Sequence, residues 1–405
     1  MRSLVPFLVS ICEKTGVLRH LLVILMVSLG GLQAAQGYAT KPKATQAVSS
    51  FARSLLEFQA YSQRKQVEAR AYAKKRYPGL NQSPDRQRLL DRAHQSGNSP
   101  LLLHHGGATR VSALLVHGFS DSPYFMEHIA QHLYSQGVNV VVVLLTGHGL
   151  ESDALADSGV VTLKAWQKDV DAGFRIAKGL GDKVVGVGFS TGASLLLESA
   201  SYTQIPIEMA LLGDPMMVAL PFPQPDGLIV PPRLKFDGLV LFAPVLRVLD
   251  WRVRTLGPSG MWIYKQVSDY SFPPEGDDWS FKYLKKAING VEQVQRLVNH
   301  LVRFSHWDPK GSGSRPPMLG IFSEADDTID TQFAINYLSS QAQEARSDFE
   351  TYVFASPEAV DHTGFIRFQQ EGDEFSFIDH ARYQKMTDFI DRFLDDHGLS
   401  VSIEY

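Results

Sequence analysis

Between Arg110 and Leu394 the chain alternates short, nearly continuous apolar runs with longer stretches in which apolar residues recur every three or four positions. That rhythm belongs to strands buried on both faces and joined by amphipathic helices, and it predicts an α/β fold with a mostly parallel sheet. The apolar runs place strands at Val111 to Val116, Val138 to Leu145, Lys183 to Val187, Gly238 to Phe242, Met318 to Phe322 and Thr351 to Phe354. Helices fall at Tyr124 to Gln136, Leu163 to Leu180 and Ala193 to Ser201. A last helix carries Tyr383, Met386, Phe389, Ile390, Phe393 and Leu394 and is stopped by Gly398.

Ahead of this body, Val48, Phe51, Leu55 and Phe58 lie on one stripe of a helix spanning Thr45 to Arg76. Pro78-Gly79 ends it, and Ser83-Pro84 opens a second short helix through Leu90. The first forty residues differ again. Arg2, Lys14 and Arg19 precede an apolar run from Leu21 to Leu32 and a small, polar tail, the pattern of an export signal. Removal of the leader would make the protein exported, periplasmic or secreted; a leader left uncleaved would anchor it to a membrane.

Two stretches break the alternation. Tyr202 to Phe236 holds Pro215, Pro221, Pro223, Pro225, Pro231 and Pro232 and reads as an irregular excursion. Leu249 to Pro316 holds Trp251, Trp262, Trp279 and Trp307, four of five tryptophans, with Tyr264, Tyr270, Phe281 and Phe304; it reads as an aromatic-rich helical cap whose rings either line a pocket or core the insert. The expected organisation is therefore a leader over 1–39, a helical extension over 40–109, core segments over 110–248 and 317–405, and a cap over 249–316.

A formal charge of -4 leaves no basic footprint for nucleic acid. The single cysteine, Cys12, lies in the leader, so the body can form no internal disulfide. No ligand-spaced Cys or His cluster and no phosphate-cradling glycine loop is evident, so neither metal nor cofactor is expected.

The chemistry concentrates at Gly188-Phe189-Ser190-Thr191-Gly192, which directly follows one apolar strand and precedes an apolar helix. A G-x-S-x-G turn in that context exposes a strained serine at the end of a sheet, and Ser190 is the candidate nucleophile. A serine hydroxyl needs a base to take its proton; His362, in the loop after the last strand, is the candidate, ahead of His300, His306, His380 and His397. The base needs a carboxylate in the loop after the penultimate strand, where Asp326 is preferred and Asp327 competes; Asp330 reads as the cap of the next helix. Backbone N-H groups of Phe119 and Thr191 would meet an oxyanion. His117 and His148 read as structural.

These segments together resemble the monoacylglycerol lipase and bacterial carboxylesterase family of α/β-hydrolases. The likeness is carried by His117-Gly118-Phe119-Ser120-Asp121-Ser122-Pro123, Gly137 to Val143, Gly147-His148-Gly149, Trp166 with Asp169, the Ser190 elbow, the Asp326 loop and His362. The resemblance implies hydrolysis of monoacyl esters, lysophospholipids or short acyl esters. This chain departs from the family pattern at Thr146, where proline is usual, at Ala193, where glycine is usual, and at Asp361, where a small residue is commoner. An amidase or aminopeptidase on the same machinery would need an acidic cap site, for which Glu275, Asp277 and Asp278 are candidates. An acyltransferase and a non-catalytic binding protein of the same fold are the remaining readings.

Overall fold

The computed structural model describes residues 49–78, 83–205, 228–249, 278–306 and 315–400. In chain order the elements are α1 (Ser50–Arg76), α2 (Pro84–His94), β1 (Leu101–Leu103), β2 (Thr109–Val116), α3 (Glu127–Ser135), β3 (Asn139–Val143), α4 (Leu163–Leu180), β4 (Gly181–Phe189), α5 (Thr191–Ala200), β5 (Tyr202–Ile205), β6 (Leu228–Val230), β7 (Gly238–Phe242), α6 (Ile288–Phe304), β8 (Ser305–His306), β9 (Met318–Ser323), α7 (Thr331–Ala345), β10 (Phe349–Phe354) and α8 (His380–Asp396). The leader, Thr45 to Val48, Trp251, Trp262, Trp307, Tyr264, Tyr270, Glu275 and Asp277 lie outside the described residues.

Seven strands form one sheet in the order β1-β3-β2-β4-β7-β9-β10. Every pairing is parallel except that of β1 with β3. The parallel strands need long return connections, and the helices between them supply these. Every residue of β3 and β7 is buried, as a sheet covered on both faces requires. The order reverses around β2, the first parallel strand, and β4 lies beside it near the middle of the sheet. The end of β4 thus opens onto the crevice where ligands of such sheets bind.

Three expectations change. The stretch 40–109 is not wholly helical, because Leu101–Leu103 adds an antiparallel strand to the main sheet; three residues are too few to show a period. The described residues of the stretch Tyr202 to Phe236 include two strands: β5 pairs antiparallel with β6 and with β8 in a small second sheet. The helix read as ending at Leu90 continues to His94.

Helix α1 packs against α4. Its N-cap is Ser49, whose Oγ accepts the Ala52 N-H. The fully buried stripe is Ser54, Tyr61, Lys65, Ala69 and Ala73, while Phe51, Leu55 and Phe58 flank it. Tyr61 OH donates to the Leu144 carbonyl at 2.8 Å, which fastens the helix to the loop after β3. Among the described residues no helix is long and apolar enough to cross a membrane.

Candidate active site

The turn from β4 into α5 sets the site. Ser190 has φ 52° and ψ -116°, a region that side chains rarely enter and that a stiff surrounding must hold. Its N-H donates to the Phe242 carbonyl of β7 at 2.8 Å, which ties the turn to the neighbouring strand. The flanking glycines permit the turn: a Cβ on Gly192 would lie 2.2 Å from the Val116 carbonyl oxygen, and one on Gly188 would lie 2.5 Å from the Ala193 Cα. Both contacts are with backbone, which cannot swing away.

Ser190 Oγ stands 2.9 Å from His362 Nε2, and His362 Nδ1 stands 2.6 Å from Asp326 Oδ2. All three side chains are buried. A carboxylate oxygen accepts, so Nδ1 carries the proton and Nε2 is left to accept from the serine hydroxyl. The second carboxylate oxygen, Asp326 Oδ1, accepts the N-H groups of Thr328 and Ile329, both at 2.9 Å. The alternative acid, Asp327, is exposed and accepts from its neighbour Thr328. Geometry thus joins Asp326, and not Asp327, to the histidine.

The other histidines are engaged elsewhere. His300 on α6 faces Thr203, His380 opens α8, and His397 contacts the Phe393 carbonyl through Nδ1. Asp330 accepts the Phe333 N-H and caps α7, as expected. Ser323, at the end of β9, accepts the Val360 N-H at 3.0 Å and so couples the aspartate loop to the histidine loop. Nothing in the sequence marked that serine. Asp361 accepts the Gly364 N-H at 2.7 Å and turns the chain after the histidine.

Thr191 is the first residue of α5, so its N-H has no partner within the helix. It and Phe119 border the same cavity as Ser190 and His362. The loop carrying Phe119 is held by buried neutral histidines. His117 Nδ1 contacts the Gly118 carbonyl, and its Nε2 accepts the Leu145 N-H. His148 Nε2 accepts the Ser120 N-H, while its Nδ1 contacts the Leu145 carbonyl. Burial pushes His117 down to about 4 and His148 well below the usual histidine range.

The cavity has a volume of about 460 Å³, within the range of small-molecule sites. Its apolar wall is built by Phe119, Val245, Val248, Val291, Val294 and Phe375, and its polar rim includes Lys282, Thr328 and Asp361. The described aromatics of the stretch read as a cap do not line it: Phe281 stacks on Tyr124, Trp279 meets Phe375 edge-on, and Phe304 is buried. From the described residues of the stretch 249–316 the wall takes valines and lysines. Among the described residues no cluster of three or more His, Cys, Asp or Glu is placed to hold a metal ion.

The fold and site define an α/β protein with a hydrogen-bonded Ser-His-Asp chain at the carboxyl end of its central strands. The chain belongs to the alpha/beta hydrolase family, whose model matches residues 113–375. Among solved structures it is similar to a chain from work on LipS and LipT, two metagenome-derived lipolytic enzymes, at 16% identity and TM-score 0.45, covering 73% of this chain and 98% of that one. A soluble variant of monoglyceride lipase from Saccharomyces cerevisiae is similar at 13% identity and TM-score 0.48, covering 74% and 91%. Esterase 2 of Thermogutta terrifontis with bound butyrate is similar at 16% identity and TM-score 0.40, covering 78% and 95%. No curated protein sequence matches.

Proposed function

We propose that the protein hydrolyses carboxylic esters through an acyl-enzyme on Ser190. The observation that carries this reading is the continuous hydrogen-bonded chain from Ser190 Oγ through His362 to Asp326. In the acylation step Ser190 Oγ attacks the ester carbonyl and its proton passes to His362 Nε2. Asp326 stabilises the imidazolium, and the N-H groups of Phe119 and Thr191 meet the oxyanion. The tetrahedral intermediate collapses as the leaving alkoxide takes the proton from His362. Water then attacks the acyl-enzyme, gives its proton to His362, and releases the acid while Ser190 recovers its hydroxyl.

An apolar wall beside Ser190 suits the acyl chain of a monoacylglycerol, a lysophospholipid or a short acyl ester. The amidase reading is less favoured, because Asp278 already accepts the N-H groups of Ser152 and Leu284 and so serves as a turn anchor. The leader makes an exported location part of the same proposal. Incubation with a fluorophosphonate followed by mass spectrometry tests the nucleophile: a single adduct on Ser190 supports it, and an unlabelled Ser190 contradicts it.

A further inference from the structure

The loop that carries Phe119 is clamped by a segment of the chain far from it in sequence. Ser120 has φ 65°, which a serine adopts only when its surroundings hold it there. Its N-H is held by His148, as described, and its carbonyl accepts the Tyr283 N-H at 2.7 Å. The Tyr283 ring lies nearly parallel to that of His148, at 6.1 Å between centroids. Its hydroxyl accepts the Leu150 N-H and contacts the Gly147 carbonyl. Beside it, the Lys282 ammonium pairs with Asp121, whose carboxylate is buried and lies so close under Gly118 that a Cβ there would meet it at 2.4 Å. Lys282 also sits 5.2 Å from the Phe125 ring centre.

A buried ion pair is a poor way to gain stability, since desolvation offsets most of the attraction. It is a good way to fix geometry here, because the Asp121 carboxylate is buried and cannot turn to solvent when its partner moves. Asp121 follows Phe119 by two residues and its own N-H returns to the Gly118 carbonyl, so the carboxylate and the Phe119 N-H share one tight turn. We infer that Lys282 is a positioning residue for the oxyanion donor: through Asp121 it holds the Gly118 to Asp121 turn so that the Phe119 N-H points into the site. The inference rests on the ester-hydrolase reading and adds a device to it, since the cap segment that forms the pocket wall also completes the oxyanion hole.

The test compares wild type, Lys282→Met, Lys282→Arg and the double variant Lys282→Met/Asp121→Asn on a p-nitrophenyl ester and on the matching thionoester. Sulfur is a weaker and larger acceptor than oxygen, so a thionoester draws little from the hole, and the rate ratio of ester to thionoester reports donor placement. Loss of placement is expected to lower kcat on the ester about 10- to 100-fold with KM within about threefold. The thionoester rate should change far less, so the ratio falls, and Lys282→Arg should restore most of it.

The double variant removes both charges of the pair, only one of which, Asp121, is buried, and this keeps the test open if Lys282→Met alone fails to fold. A folded variant with wild-type kcat, or one in which both substrates slow equally, overturns the positioning role. A wild type that turns over no ester overturns instead the reading beneath it.

Discussion

The Lys65 ammonium lies 2.7 Å from the Asp169 carboxylate, and both side chains are buried. Lys65 also donates to Thr146 Oγ1 at 2.9 Å and to Glu68 at 3.1 Å, so all three of its protons are used. Thr146 in turn donates its N-H and its hydroxyl to Asp169 Oδ2. This knot joins the N-terminal helix to α4 and to the loop that carries His148. A proline at 146 could supply neither the N-H nor the hydroxyl.

Replacing Lys65 with methionine keeps the bulk and strands a buried carboxylate. The expected cost is about 3–5 kcal/mol of folding stability, read from urea denaturation of the intact chain. A loss under about 1 kcal/mol would mean the pair is solvated and not a tether.

Thr146→Pro should cost stability as well, by removing two hydrogen bonds to a charged acceptor, each worth about 1.5–3 kcal/mol. The effect should shrink in a Lys65→Met/Asp169→Leu background, where the knot is already gone. Additive losses in that double-mutant cycle would contradict the coupling.

The acid is assigned by contact, and the two neighbours should separate sharply. Asp326→Asn is expected to lower kcat by about 10³- to 10⁴-fold, because the amide favours the wrong histidine tautomer. Asp327→Asn, at an exposed carboxylate, should leave kcat within about threefold of wild type. Equal losses at both positions would contradict the assignment.

His117 is held neutral in the folded protein, with its pKa lowered to about 4 by burial. In the unfolded chain it titrates near 6.5. Above that value both states are neutral and the group is silent. As pH falls from about 6.5 to about 4 the unfolded state alone gains the proton, so stability drops by up to about 3 kcal/mol from this residue. His128 is lowered to about 4 and His148 well below the usual histidine range, both in the same direction. Urea midpoints at pH 7 and pH 5 check this; an unchanged midpoint would contradict it.

Much of this architecture was legible because β2, β3, β4, β7 and β9 are buried on both faces over most of their length and therefore spelled in nearly continuous apolar runs. The turn around Ser190 was legible for a steric reason, since only glycine fits at 188 and 192. Less was legible where contacts, and not periods, decide. Leu101–Leu103 is too short to have a period. The buried face of α1 mixes polar Ser54, Tyr61 and Lys65 with small Ala69 and Ala73, so apolar spacing pointed to its flank at Phe51, Leu55 and Phe58. Asp326 and Asp327 are adjacent, and only the fold shows which one turns toward His362. Ser323 and Lys282 act across long sequence separations that no local pattern records.

Ser190 is expected to be the nucleophile of an ester hydrolase. The most direct measurement compares wild type with Ser190→Ala on chromogenic esters from acetyl to palmitoyl. The wild type is expected to turn over, with a preferred chain length set by the wall of Phe119, Val291 and Val294, and the variant to lose at least about 10³-fold. A variant as active as the wild type, or a wild type inert on the whole series, would contradict it.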